Sequence, residues 1–191
     1  MIRFFTNREL SKKLGINLAK WKRWSREFLP PDPLGGLQSG YARQYNPAEA
    51  FTVYLGGHLI SDLKYTVPEC RQILEDLNGW LHRSGFFFEP AKSDSNRNIH
   101  TIVEAYQIFI QSIPGTPQNQ FRFCYLIRGV LSSGQTEFKG FPAREEFFYE
   151  TVLPNAIPDI SPPHMWTIVK ILNITAIHNR FLTALNLKNH G

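Results

Sequence analysis

Four cationic side chains lie close together near the amino terminus, and they have the chemistry needed to bind phosphate. They are Lys20, Lys22, Arg23 and Arg26, interleaved with Trp21 and Trp24. Lysine and arginine donate charge-assisted hydrogen bonds to phosphate oxygens. Residues 1–50 carry nine Lys or Arg against four Asp or Glu, whereas residues 51–191 carry twelve of each, so the net charge of +5 lies in the first 50 residues. A basic field confined to one module predicts a nucleic-acid-binding head joined to a body with another task.

Catalysis and metal binding require residue groupings that the sequence lacks. The six histidines are scattered, without a His-Glu-x-x-His motif, a Cys/His cluster or a phosphate-cradling glycine loop. Glu145, Glu146 and Glu150 could share a helix face for acid-base work, but acids beside Arg144 are more typical of a solvated patch. We therefore expect no catalytic residue, no metal site and no cofactor, and a protein that is not an enzyme.

Length and composition favour a two-domain protein that is cytoplasmic, or nuclear if the host has a nucleus. A chain of 191 residues, 42% of them hydrophobic, can bury one good core or two small ones, and the charge asymmetry favours two. No apolar run approaches the roughly 18 to 20 residues that span a bilayer, and residues 1–8 turn polar too quickly for a secretory signal. Cys70 and Cys124 lack Cys-x-x-Cys spacing and predict two reduced, buried thiols. No membrane partner is expected.

The cationic cluster lies on the second of two predicted short helices. Thr6 and Glu9 have the spacing of a capping box for the first helix, which Gly15 ends. Asn17 caps the second, on which apolar side chains recur at helical spacing. These are Leu18, Trp21, Trp24 and Phe28. The second helix therefore buries an aromatic stripe and presents its cations outward, as in a helix-turn-helix. The aromatic residues, with Phe51, could instead stack on single-stranded bases, but their spacing favours a core role.

A short hairpin is predicted after the second helix. The segment from Leu29 to Pro33 contains three prolines that stop the helix, and Gly35, Gly36 and Gly40 supply turn chemistry. On the second arm of the hairpin, Tyr41, Arg43 and Tyr45 alternate. Such a hairpin beside a recognition helix is a wing, and an arginine on a wing usually holds a phosphate.

Two further helices are predicted after the wing. Asn46, Pro47 and Glu49 begin the third, which is expected to run to about Leu63. The fourth begins after Thr66 and should bury one apolar side, formed by Ile73, Leu74, Leu77, Trp80 and Leu81.

The order of these parts resembles the winged helix-turn-helix DNA-binding domain of the MerR family of transcription regulators, over about residues 3–80. Five pieces carry the resemblance: Thr6 to Gly15, Trp21-Lys22-Arg23-Trp24, Phe28-Leu29-Pro30-Pro31, Ser39 to Asn46, and Tyr65 to Glu69. The chain departs from the family pattern at Arg23-Trp24, which replaces an aromatic pair, and at Ser25, which replaces a glutamate. Both changes make the second helix more basic and leave its sequence preference open.

The resemblance implies a way of contacting DNA. The start of the second helix, Asn17 to Lys20, would enter the major groove, and Lys22 and Arg23 would reach phosphates or base edges from the same helix. Arg43 would grip the backbone from the wing, with Tyr41 beside it. The candidate DNA-binding residues are therefore Asn17, Lys20, Lys22, Arg23, Arg26, Tyr41 and Arg43.

Residues 84–97 are polar and rich in chain breakers, and they predict a linker between a head (1–83) and a second domain (98–191). Gly85 and Pro90 end the helix that forms the dimer coiled coil in MerR regulators, so a dimer would have to form through the second domain. That domain contains strand-like runs at 106–113, 121–131 and 136–141, with a hairpin turn at 132–135, and residues 144–152 could be helix or strand. A terminal helix capped by Asn173 or Thr175 is expected to bury Ile177, Phe181, Leu182 and Leu185.

The sequence thus predicts an α+β protein with a winged helix-turn-helix head of four helices, followed by a small mixed domain with an antiparallel sheet and a terminal helix. The expected function is that of a sequence-specific transcription regulator that binds double-stranded DNA. Its second domain would sense a small-molecule effector, form a homodimer or bind a protein partner. The alternative is a phage or mobile-element architectural protein, similar to an excisionase, that bends DNA.

Overall fold

Helices and strands are both present in the protein, which confirms the expected α+β class. The computed structural model describes residues 3–32, 42–87, 103–113, 122–131, 146–152 and 168–187. Within these ranges there are five helices and two small antiparallel sheets. They divide into two compact units. The first unit comprises the described parts of 1–90 and 177–191, and the second those of 91–176.

The first helix begins at the capping box that the sequence predicts. Strand β1 (Phe5–Thr6) leads into α1 (Asn7–Leu14). The Thr6 hydroxyl accepts a hydrogen bond from the Glu9 backbone N–H at 3.3 Å, and the Glu9 carboxylate accepts one from the Thr6 backbone N–H at 2.8 Å. That backbone bond is the main reason that the pKa of Glu9 lies below its usual value. Gly15 ends α1 in the left-handed region, with φ of 65°, where a residue without Cβ is favoured.

Helix α2 (Leu18–Phe28) follows after a short turn. The Asn17 side-chain oxygen accepts hydrogen bonds from the first free backbone N–H groups, those of Ala19 at 2.9 Å and Lys20 at 3.3 Å, which confirms Asn17 as the cap. Trp21 and Trp24 are buried, so the aromatic stripe of α2 forms part of the core of the first unit.

Helices α3 (Pro47–Ser61) and α4 (Val67–Arg83) complete the amino-terminal part of this unit. A capping box between Asn46 and Glu49 starts α3, which ends two residues before the predicted Leu63. The apolar side expected on α4 is buried as predicted. Its members are Ile73, Leu74, Leu77, Trp80 and Leu81.

Two glycines allow α2 and α3 to pack closely. A Cβ atom placed on Gly56 would lie 2.5 Å from the Phe28 ring, and one placed on Gly57 would overlap the Trp24 ring. Real Cβ atoms do not approach other atoms so closely, so the aromatic face of α2 lies directly on the α3 backbone. The absence of side chains at these two positions is therefore what allows the Trp24 and Phe28 rings to pack against α3 there.

Strand β2 (Gln44–Tyr45) pairs antiparallel with β1, so that Phe5 faces Tyr45 and Thr6 faces Gln44. This strand is the end of the second arm of the predicted wing. Residues 33–41, which include the predicted turn glycines and Tyr41, lie outside the described residues. The described part of the arm is therefore held against the start of the chain.

The second unit contains a four-stranded sheet in the order β5-β4-β3-β6, with every neighbouring pair antiparallel. The strands are β3 (Val103–Ile113), β4 (Arg122–Leu131), β5 (Glu146–Val152) and β6 (Lys170–Asn173). The expected antiparallel sheet is confirmed, and residues 146–152, where helix and strand were both open, form a strand. The predicted hairpin joins the run at 121–131 to that at 136–141 through a turn at 132–135. Its first strand corresponds to β4, and residues 132–141 lie outside the described residues.

The terminal helix α5 (Ile174–Leu185) begins at Asn173, whose side-chain oxygen accepts a hydrogen bond from the Ala176 N–H at 2.9 Å. From Ile177 onward it groups with the first unit and not with the sheet, in contrast to the predicted second domain of 98–191. The Phe181 ring lies 5.2 Å from that of Phe51 on α3. Helical spacing predicts that α5 buries one apolar face, but it does not identify the element that covers this face.

Residues 84–87, which the sequence assigns to the predicted linker, belong to the first unit. Phe86 and Phe87 are buried in the first unit, and the Phe86 ring lies 5.5 Å from that of Trp80. Phe86 and Phe87 therefore form part of the core of the first unit, because burial of their aromatic side chains outweighs the breaker signal of Ser84-Gly85. Residues 88–97 lie outside the described part of the chain.

Two expectations drawn from composition can be compared with the structure. Cys70 and Cys124 are both buried thiols, as predicted. Across the described residues, no helix combines the length and apolar character that crossing a bilayer requires.

Candidate nucleic-acid interface

Three cations project from the outer side of α2, and we call Lys22, Arg23 and Arg26 the basic face. All three are exposed, whereas Trp21 and Trp24 on the opposite side are buried. At about 100° per residue, the three positions span roughly 100° of the helix circumference, so they form one continuous surface. Arg26 also lies in the last turn of α2, where a cation is stabilised by the negative end of the helix dipole.

The carboxylate nearest to the basic face in the sequence is already neutralised. Glu27 forms an ion pair with Arg71 of α4 at 2.6 Å, and the Arg71 Nε donates a hydrogen bond to the Glu27 backbone carbonyl at 2.8 Å. Arg71 therefore both satisfies a carbonyl at the end of α2 and offsets the one acidic side chain of that helix. The positive field of the basic face is left largely uncompensated.

A cleft of about 460 Å³ adjoins the basic face. Its polar side chains include Asn7 from the start of α1, Lys22 and Arg26 from α2, Asp32 after the prolines, and Arg43 before β2. Three cations thus face one carboxylate. The cleft lies where α1, α2 and the described arm of the predicted wing come together.

A buried chain of hydrogen bonds forms one wall of the cleft. The Tyr45 hydroxyl donates to the Asn7 side-chain oxygen at 2.7 Å, and the Ser25 hydroxyl lies 2.7 Å from the Tyr45 hydroxyl. Ser25 and Tyr45 are 3% and 1% exposed, so these hydroxyls depend on each other for hydrogen bonds. Burial is the main cause of a raised pKa at Tyr45, which keeps its hydroxyl protonated. The chain joins α1, α2 and β2.

Arg43, the predicted phosphate contact of the wing, has its guanidinium engaged within the protein. Nη1 donates a hydrogen bond to the Pro30 carbonyl at 2.9 Å, Nη2 lies 3.7 Å from the Glu49 carboxylate, and the group lies over the Tyr45 ring at 5.4 Å. The Arg43 side chain is only 15% exposed. These contacts hold the second arm of the predicted wing against the segment after α2 and the start of α3.

Lys20 and Asn17 do not line the cleft that adjoins the basic face. Lys20 lies about 160° around α2 from Lys22. Its Nζ is 4.7 Å from the Trp24 ring centroid, and it lines a separate cleft of about 210 Å³ with His58 of α3. The Asn17 oxygen is occupied by capping, as described above. Lys22 and Arg26 therefore line one cleft and Lys20 lines another, with Arg23 between them on the helix circumference.

In comparisons of the chain with protein-family models, with curated proteins and with solved structures, nothing matches. The resemblance to MerR regulators therefore stays a prediction from sequence.

Sequence reasoning missed Asn7 and Ser25 as members of this site. Asn7 reads as an ordinary first residue of a helix, and Ser25 reads as a departure from a motif. The only available signal was the position of Ser25 on the inner side of α2, since a buried serine needs a polar partner. In the described part of the chain, no group of three or more His, Cys, Asp or Glu side chains is placed to hold a metal ion.

Proposed function

We propose that the first unit is a winged helix-turn-helix head that binds double-stranded DNA, and that the protein regulates transcription. The basic face carries the proposal, because three exposed cations lie on one helix whose opposite side carries the buried Trp21 and Trp24. A helix of this kind fits the major groove, where lysine and arginine reach both phosphates and base edges.

Strand β2 supports the proposal by its position. It lies beside α2, joined to it through Tyr45 and Ser25, and is the end of the arm that would form the wing. A helix that enters a groove with a strand beside it is the docking arrangement expected of a winged head. The role of the second unit belongs to the same proposal: it senses an effector, forms a dimer or binds a protein partner.

Salt-dependent binding to duplex DNA tests the proposal. Each phosphate contact contributes about 0.9 to the slope of log K against log salt concentration. Replacing two arginines of the basic face, in the variant Arg23→Ala/Arg26→Ala, should therefore lower the magnitude of this slope by about two and weaken binding to all duplexes.

The variant Arg83→Ala/Arg180→Ala is the matched control. It removes two exposed arginines from α4 and α5 of the same unit and changes the net charge equally. We expect it to leave the slope nearly unchanged, since the effect of the basic face depends on position and not only on charge. Equal affinities and slopes for both double variants, or no duplex binding by the unaltered protein at low salt, would refute the proposal.

A further inference from the structure

We propose that the cleft beside the basic face is a seat for one phosphate group, held between Lys22 and Arg26 by the side-chain amide of Asn7. The inference rests on the proposed DNA-binding function and names the part of the nucleic acid that this cleft receives, a phosphate of the backbone.

The direction of the buried hydrogen bonds decides how the Asn7 amide is oriented. A tyrosine hydroxyl has one proton, and that of Tyr45 is donated to the Asn7 oxygen. The Ser25 hydroxyl must therefore donate to Tyr45. Asn7 is thus fixed by its oxygen, and its nitrogen keeps two protons that no hydrogen bond within the described residues uses.

Asn7, whose amide carries these two protons, lines a cationic cleft. Asn7 lines it together with Lys22, Arg26 and Arg43, against the single carboxylate of Asp32. The Arg43 guanidinium donates one hydrogen bond to Pro30 and lies 3.7 Å from the Glu49 carboxylate, so it adds positive charge from a side chain that is held in place within the protein. Lys22 and Arg26 are exposed and supply mobile charged donors. An acceptor-only group with several oxygens and negative charge, such as a phosphate, satisfies all these donors together.

The buried hydroxyl groups fix the orientation of the Asn7 amide before a ligand binds. Lysine and arginine side chains lose rotamer freedom when they bind, whereas the Asn7 amide is already held by the buried Tyr45 hydroxyl, which Ser25 holds in turn. Asn7 therefore sets the position of the phosphate, while Lys22 and Arg26 provide most of the attraction.

The substitution Asn7→Asp tests this role. The new carboxylate still accepts the Tyr45 hydrogen bond, and an acid at the first position of α1 suits the helix dipole, so the fold should be retained. The donors are replaced by a negative charge facing the phosphate. Loss of one hydrogen bond to a charged group should weaken duplex binding about ten- to hundredfold.

Asn78→Asp is the matched control, since Asn78 is exposed on α4 and does not line this cleft. We expect it to change duplex affinity by less than about threefold, as a distant surface charge should. If the unaltered protein binds duplex and the two variants bind equally well, the phosphate seat is wrong and the proposed function stands.

The NMR signal of the Asn7 side-chain NH₂ gives a second readout on the unaltered protein. It should shift on addition of duplex DNA. If no duplex binding is seen, the proposed function fails, and a titration with inorganic phosphate against chloride then decides the inference. A saturable shift with phosphate alone shows that the seat takes a free phosphate, and no shift with either probe overturns the seat.

Discussion

Replacing Arg43 distinguishes two roles for this arginine, stabilising the fold and binding DNA. From the sequence, Arg43 is a phosphate contact on a wing. In the structure its guanidinium is occupied by the Pro30 carbonyl and the Glu49 carboxylate, and the side chain is 15% exposed. We therefore expect Arg43→Gln to lower the stability of the first unit and to leave the salt dependence of duplex binding nearly unchanged.

The size of the stability loss follows from these contacts. A hydrogen bond from a charged donor contributes about 1.5 to 3 kcal/mol. The contact with Glu49 is long, at 3.7 Å, and Glu49 is 33% exposed, so that ion pair adds only a few tenths of a kcal/mol. The expected loss is about 2 kcal/mol, or roughly 4 to 8 °C in Tm for a chain of this size.

Thermal unfolding and duplex titrations at several salt concentrations measure the two quantities on the same samples. Arg43→Lys serves as the control: it keeps the charge but not the planar fork, so it should lose stability and keep the slope. If Arg43→Gln unfolds at the same temperature as the unaltered protein and its slope falls by about 0.9, the guanidinium binds a phosphate and our reading of its contacts is wrong.

Two further predictions concern the core of the first unit. Gly57→Ala should lower the free energy of unfolding by about 1 to 3 kcal/mol, because its methyl group would overlap Trp24. Gly79→Ala, on the exposed side of α4, should raise it by about 0.5 to 1 kcal/mol. Urea unfolding that gave both changes the same sign would contradict the close packing of α2 on α3. Burial lowers the pKa of His178 to about 4, so its contribution to stability is complete above about pH 6.5 and is lost as pH falls towards 4. Between pH 7 and pH 4, this histidine should lower the free energy of unfolding of the unaltered protein by an amount on the order of 2 kcal/mol, and His178→Gln should remove that decrease. An unchanged pH dependence of the urea midpoint in the variant would exclude this role.

Local signals predicted the helix starts well. Thr6, Asn17 and Asn46 each place a side-chain oxygen where a helix must begin, and all three cap in the structure. The burial of Trp21 and Trp24 also followed from spacing, because a helical period fixes which side chains share a face. In all these cases the cause lies within a few residues of its effect.

Contacts between distant parts of the chain could not be predicted in this way. Ser25 meets Tyr45 across 20 positions and Tyr45 meets Asn7 across 38. Phe181 of the terminal helix meets Phe51 across a far longer separation. A single sequence shows that these side chains need partners, but it does not show which partners they find. The polar members of the candidate site therefore emerged only from the fold.

Two separate hydrogen bonds, from Tyr45 and Arg43, hold residues 43–45 beside α2 and the residues that follow it. Together they indicate what residues 43–45 contribute to the proposed interface. The Tyr45 hydroxyl reaches Ser25 in the interior, and the Arg43 guanidinium reaches Pro30, just beyond the end of α2. Both hydrogen bonds start within three residues of the same arm, so the arm is fixed at one point on α2 and at a second point just beyond its end. A groove-binding helix with a neighbouring wing needs constant spacing between the two, because a displacement of about 1 Å breaks hydrogen bonds to phosphates. In the proposed interface, residues 43–45 would therefore place the wing, and the basic face would attract the DNA.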